Sequence, residues 1–262
     1  MTDLIFIKPF LALILTAATS SLLGVFVLWK RLSYFGDAIS HSILLGASLG
    51  AILSLEQNFS LVFFALIFAA LVGFLSQNRY FSKDTIITIS SYFCVALAII
   101  LNDLSGQTID FSNYIFGDIS SVATLDIAVL AAILVATILF VTLSFKKILL
   151  INLASDLAKV EGIKTSLWNN AFLILLTLAV AMSVKVVGVL LVTALLVLPA
   201  AIARLFSKSA TQMIFFSAAN AIAVCALSQL VANQYQISVA ALTVLISSSI
   251  FILILLAKNV LK

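Results

Sequence analysis

The sequence predicts an all-α protein that crosses a membrane many times, and three observations predict it. Of its 262 residues, 64% are hydrophobic and only 9% are charged, whereas roughly a quarter of an ordinary soluble domain is charged. A soluble protein of this size could not cover that much apolar surface with polar side chains. The apolar residues also come in near-continuous runs of about 20, the length a helix needs to cross the hydrocarbon core. A membrane β-barrel needs alternating segments of about 10 residues instead, and the sequence has none.

Nine runs qualify as spans: residues 10–28, 37–55, 60–78, 85–102, 125–145, 168–184, 186–203, 211–232 and 239–257. They count as eight if the pair flanking Lys185 does not cross independently. The first run lacks the basic leader of a cleaved signal and is long enough to span, so it reads as a retained helix. The second opens at Gly36-Asp37 and carries a small-residue stripe of Ala38, Ser42, Gly46 and Gly50. Gly46-x-x-x-Gly50 fits close helix contact inside a bundle. Cys94 and Cys225 fall inside the fourth and eighth runs and read as reduced packing residues. In the seventh, Pro199 removes a backbone hydrogen bond and predicts a kink, with gating as the sharper reading.

Two connections exceed a turn. Residues 103–124 are semi-polar with Phe and Tyr, which suits an interfacial or re-entrant segment. Residues 146–167 hold four lysines, one aspartate and one glutamate. Within them SDLAKVEGIK has a helix signature, with Ser155 or Asp156 as the cap and Gly162 as the stop. It is a docking element for a soluble partner or a plain connector. No soluble domain boundary and no phosphate-binding loop of the Walker type appear, so the chain reads as one transmembrane domain over 1–262.

The charges orient the spans. Cytoplasmic loops carry an excess of Lys and Arg. With Lys30 and Arg31 inside, alternation over nine spans puts 12 of the 14 basic residues inside, all but Lys8 and Lys185. Six of the ten acids, Asp3, Glu56, Asp103, Asp110, Asp118 and Asp126, then fall outside. The expected topology has an external N-terminus and a cytoplasmic C-terminus. The net charge of +4 thus reflects membrane orientation rather than nucleic-acid binding.

Asp37 and His41, the only histidine, are spaced to share one helix face. A carboxylate and an imidazole suit zinc, manganese or ferrous iron, and ionisable groups within a span mark a pathway. The alternative is structural: Asp37 caps the helix and His41 bonds to a neighbour. Zinc usually takes four ligands, so a symmetric dimer would supply two Asp and two His, or Asn220, Ser228 and Gln229 would contribute.

Several stretches in order, FVLWKRLSYFGDAISHSILLG, NYIFGDISSVATLDI, SDLAKVEGIK and KVVGVLLVTALLVLPAAIAR, resemble the zinc/manganese/iron ABC-importer permeases, and most closely their zinc-type members. The resemblance implies a homodimeric permease of the bacterial cytoplasmic membrane, with no permanently bound cofactor and no catalysis of its own. A dimer of separate cytoplasmic ATP-binding subunits and an extracytoplasmic metal-binding protein would be its partners. Asp37 and His41 would touch the transported metal transiently, and Ser155, Asp156, Ala158, Glu161 and Gly162 would belong to the coupling segment. The chain departs from the family pattern at residues 236–240, QISVA, and at residues 89–93, where ISSYF stands in place of a frequent histidine. An ion-coupled secondary carrier and a non-transporting scaffold are the competing readings.

Overall fold

The computed structural model describes residues 2–76, 80–105, 111–117, 119 and 122–260. Arg79, Asp110, Asp118 and Lys262, used in the charge pattern, lie outside the described residues, as does much of the expected re-entrant segment. The regular elements among the described residues are ten helices: α1 Thr2–Trp29, α2 Ser33–Ile52, α3 Gln57–Leu75, α4 Lys83–Ser105, α5 Ser112–Phe116, α6 Thr124–Leu153, α7 Ser155–Val160, α8 Thr165–Phe206, α9 Ala210–Tyr235 and α10 Val239–Val260. Eight of these, all but α5 and α7, are long and apolar enough to cross a membrane.

One of the eight accounts for two expected spans. α8 has 42 residues, about 63 Å at 1.5 Å per residue and so twice the hydrocarbon thickness. Its backbone leaves helical angles at Gly188, with φ 83° and ψ 162°. Only glycine occupies that region without strain. The interruption therefore falls three residues beyond the expected Lys185, which stays within the helical stretch. The segments on either side each have the length to span. The backbone around Pro199 stays helical.

Sharp stops separate the elements. α7 ends in a Schellman motif: Gly162 has φ 75°, its N–H bonds to the Lys159 carbonyl, and the Ile163 N–H bonds to that of Ala158. The same pattern closes α1 at Arg31 and α2 at Ser54, both in the left-handed region without being glycine. Two cap expectations need correction. The α7 N-cap is Ala154, with no side-chain bond, because a single residue separates α6 from α7 and Ser155 is already helical. Asp37 does not cap α2 either, since the helix begins four residues earlier, at Ser33.

The chain forms two compact units, each assembled from separated segments. The first contains residues 1–33, 110–131 and 183–262. In it α1 lies so close to α8 that a Cβ on Gly24 would overlap the Leu196 carbonyl. Ser217 of α9 donates to the Ser21 carbonyl of α1 at 3.0 Å. Val25, Ala200, Ala203 and Met213 close a core there. Gly117, with φ 72°, abuts Val187 and Gly188 backbone to backbone, and Asp126 pairs with Lys185 at 2.9 Å.

The second unit contains residues 34–109 and 132–182. α3 runs antiparallel to α2: a Cβ on Gly46 would stand 3.1 Å from Phe64, and one on Gly50 would strike Ser60. The glycine spacing that predicted close packing thus meets its partner, and Ser60 donates to the Gly46 carbonyl at 2.6 Å. Ser42 is also buried and bonds to the Ile39 carbonyl. Phe140 packs against Trp168 and Phe172, with the Lys147 ammonium 4.5 Å above the Trp168 ring.

Candidate functional site

α2 is buried almost all round. Between Phe35 and Gly50 only Asp37, His41, Leu45 and Leu49 are partly open; every residue between them is buried. Four-residue spacing places these four on one line along the helix. The small residues that pack α2 into its unit, Ser42, Gly46 and Gly50 among them, occupy the other faces. The packing residues and the partly open line therefore occupy different faces of the helix.

The two polar members of the line adjoin. The Asp37 Oδ2 and His41 Nδ1 atoms are 4.0 Å apart, with side chains 48% and 28% exposed. Nδ1 also lies 2.6 Å from the hydroxyl of Ser91 on α4, itself 4% exposed. Among the described residues no protein group bonds to Nε2, the ring nitrogen by which an imidazole commonly takes a metal. His41 thus bonds to a neighbouring helix, as the structural alternative expects. Among the described residues, no three His, Cys, Asp or Glu side chains come together.

Nothing in the sequence alone marks Ser91 as a partner of His41, although it lies in the ISSYF stretch. The available signal is the spacing of Ile87, Ser91, Cys94 and Ala98, four of the six buried residues of α4, which form a helical stripe of period 3.5. Seven residues beyond His41, Ser48 donates to the Ala98 carbonyl at 3.1 Å. The pairs 41/91 and 48/98 advance together, so α2 and α4 run parallel in fixed register.

The other candidates lie elsewhere. Asn220, Ser228 and Gln229 belong to α9 in the first unit. Among the described residues the Asn220 Oδ1, Ser228 Oγ and Gln229 Oε1 atoms are buried without a protein partner, while the Gln229 amide donates to Asn233 at 3.1 Å. In the connection 146–167, Ala158 is fully buried, and Asp156 pairs with Lys159 at 3.1 Å on the surface. Leu157 and Val160 of α7 are 50% and 84% exposed around the buried alanine, and Leu153, 78% exposed, ends α6 across the break at Ala154.

Comparison with known proteins gives these features a context. The profile of the ABC 3 transport family matches residues 2–258. The high-affinity zinc uptake system membrane protein ZnuB of Buchnera aphidicola subsp. Baizongia pistaciae is 33% identical over 255 residues, 97% of this chain and 98% of that one. The manganese import system permease protein ScaB of Streptococcus gordonii is 29% identical, over 91% of this chain and 86% of its own length. Among solved structures, PsaBC from Streptococcus pneumoniae in complex with Fab superposes with a TM-score of 0.82 at 28% identity, over 94% of this chain and 89% of that chain.

Proposed function

The chain belongs to the ABC 3 transport family, and from that premise we propose that it is the membrane-spanning permease of an ATP-driven divalent-metal importer. Zinc is the first candidate cargo, on the names of the zinc uptake relatives, with manganese or ferrous iron behind it. The observation that carries this reading is the open line on α2, where Asp37 and the free Nε2 of His41 precede Leu45 and Leu49. One chain offers one carboxylate and one imidazole. Two copies offer four oxygen and nitrogen donors, enough for tetrahedral zinc. A pair of ligands split between two chains also releases its ion more readily than a closed cage, as conduction requires.

The chain works as a single permease domain over 1–262, paired with a second copy. ATP is hydrolysed by a dimer of separate cytoplasmic subunits, and an extracytoplasmic metal-binding protein delivers the ion. The coupling segment comprises Ser155, Asp156, Ala158, Glu161 and Gly162. Ala158 anchors α7, Gly162 stops it, and Leu157 and Val160 of α7, with Leu153 at the end of α6, are the exposed apolar side chains that an ATPase groove would receive. Pro199, which removes the helix bond to the Leu195 carbonyl, is a second point of give in α8, about three turns beyond the break at Gly188. The setting is the bacterial cytoplasmic membrane, with the N-terminus outside and the C-terminus in the cytoplasm.

Uptake of radioactive zinc into proteoliposomes tests this. The chain reconstituted with its ATPase should import zinc only with ATP, and His41→Ala should lose at least about tenfold in rate, as expected for removal of a metal contact. Uptake by the chain alone without ATP would favour a secondary carrier. Full transport by His41→Ala would remove the site and leave the family untouched.

A further inference from the structure

The orientation of His41 rests on contacts to one ring nitrogen. Nδ1 lies 2.6 Å from Ser91 Oγ and 4.0 Å from Asp37 Oδ2. A hydroxyl can donate or accept, whereas an ionised carboxylate only accepts. At 4.0 Å the Asp37 carboxylate is too far to accept a bond from Nδ1, and it is its negative charge, not the Ser91 contact, that favours the tautomer carrying the proton there. The Nδ1–H then donates to Ser91 Oγ, and the Nε2 lone pair is free.

On the reading that His41 touches the transported metal, we propose that Ser91 is a positioning residue for transport. It fixes the His41 ring so that Nε2, unprotonated, faces the ion. Ser91 does not depend on that bond for its own place, because the Ser48 bond to the Ala98 carbonyl at 3.1 Å sets the register of α2 against α4 one heptad further on. A ligating histidine commonly gives its other N–H to a carboxylate or carbonyl, which raises the basicity of the metal-binding nitrogen. A neutral hydroxyl raises it less. Ser91 thus acts by orienting the ring and adds little to the basicity of Nε2, which suits an ion that must leave.

The chain has one histidine, so isotopic labelling of histidine ring nitrogens in the full chain, held in lipid nanodiscs, yields one unambiguous pair of resonances. The wild type should show a protonated Nδ1. Ser91→Ala, which takes away the acceptor of the Nδ1–H, should shift the population toward a protonated Nε2 and raise the half-saturating zinc concentration of ATP-driven uptake about tenfold, with the maximal rate less affected. Ser91→Thr, which keeps the hydroxyl, should restore both. A protonated Nε2 in the wild type would overturn the proposal. So would an unchanged tautomer or half-saturation in Ser91→Ala, or a Thr variant as impaired as Ala. His41→Ala separates the two readings: if it transports normally, the metal site falls; if it fails while Ser91→Ala transports normally, only the role of Ser91 falls.

Discussion

Gly50 and Gly73 pose one question with opposite answers. A Cβ on Gly50 would stand 2.7 Å from the Ser60 Cβ and closer still to its hydroxyl, while one on Gly73 would meet nothing within 4 Å. Gly50→Ala should therefore destabilise by about 2 kcal/mol through overpacking. Gly73→Ala should be neutral or stabilise by about 0.5 kcal/mol, because alanine loses less backbone entropy in a helix. Thermal unfolding of the purified protein measures both, and shifts of the same sign would refute the packing account. At this scale the Gly46/Gly50 pair was legible because small-residue spacing is a local signal. The adjacency of Asp37 and His41 on one helix face was legible for the same reason. Ser91 was not, because its partner is 50 residues away and a buried serine reads like any other small residue on a helix. The separation of the open line from the packing faces was equally hidden, since it depends on what α3 and α4 cover.

Among the elements, α8 carries the largest departure from expectation. A charged residue inside an apolar run looks like a boundary, so the sequence placed the break at Lys185. The structure instead gives Lys185 a partner, Asp126, whose other carboxylate oxygen accepts from the Ala123 N–H at 3.1 Å. The acidic group thus caps the start of α6 and neutralises an ammonium in the same unit. The break moves to Gly188, where positive φ is possible and where Gly117 leaves room for the two backbones to touch. Neither glycine could be assigned this role from the sequence, because each is defined by the other. The Asp126 side chain is 4% exposed and that of Lys185 is 26% exposed. Asp126→Asn preserves the cap but leaves the ammonium unpaired, and should cost about 2 kcal/mol, at the low end for a broken buried pair given that exposure. Adding Lys185→Met should recover more than half of the loss in thermal unfolding. Additive losses in the double variant would show that the ion pair is not what holds this junction.

For the whole molecule, helical class and membrane character were legible because composition and run length report on bulk solvation, which needs no knowledge of contacts. The number of crossings was not, because eight long helices and nine spans differ only in how the chain passes Gly188. A straight α8 would extend about 63 Å, far beyond any bilayer core, so the 42-residue helix cannot cross once and stop. The charge pattern then predicts that Lys159 and Lys208, before and after α8, face the same compartment, with Asp103 on the opposite side. Single cysteines can read this out, because the native Cys94 and Cys225 are both buried and all three substituted positions are exposed. Lys159→Cys and Lys208→Cys should react with a membrane-impermeant maleimide in inside-out vesicles and not in right-side-out ones, and Asp103→Cys should do the reverse. If α8 made a single crossing, Lys208→Cys would label with Asp103→Cys, and every charge from Arg204 onward would stand against the positive-inside rule. The dependence of the orientation on one glycine makes Lys208 the position at which the topology is most exposed to refutation.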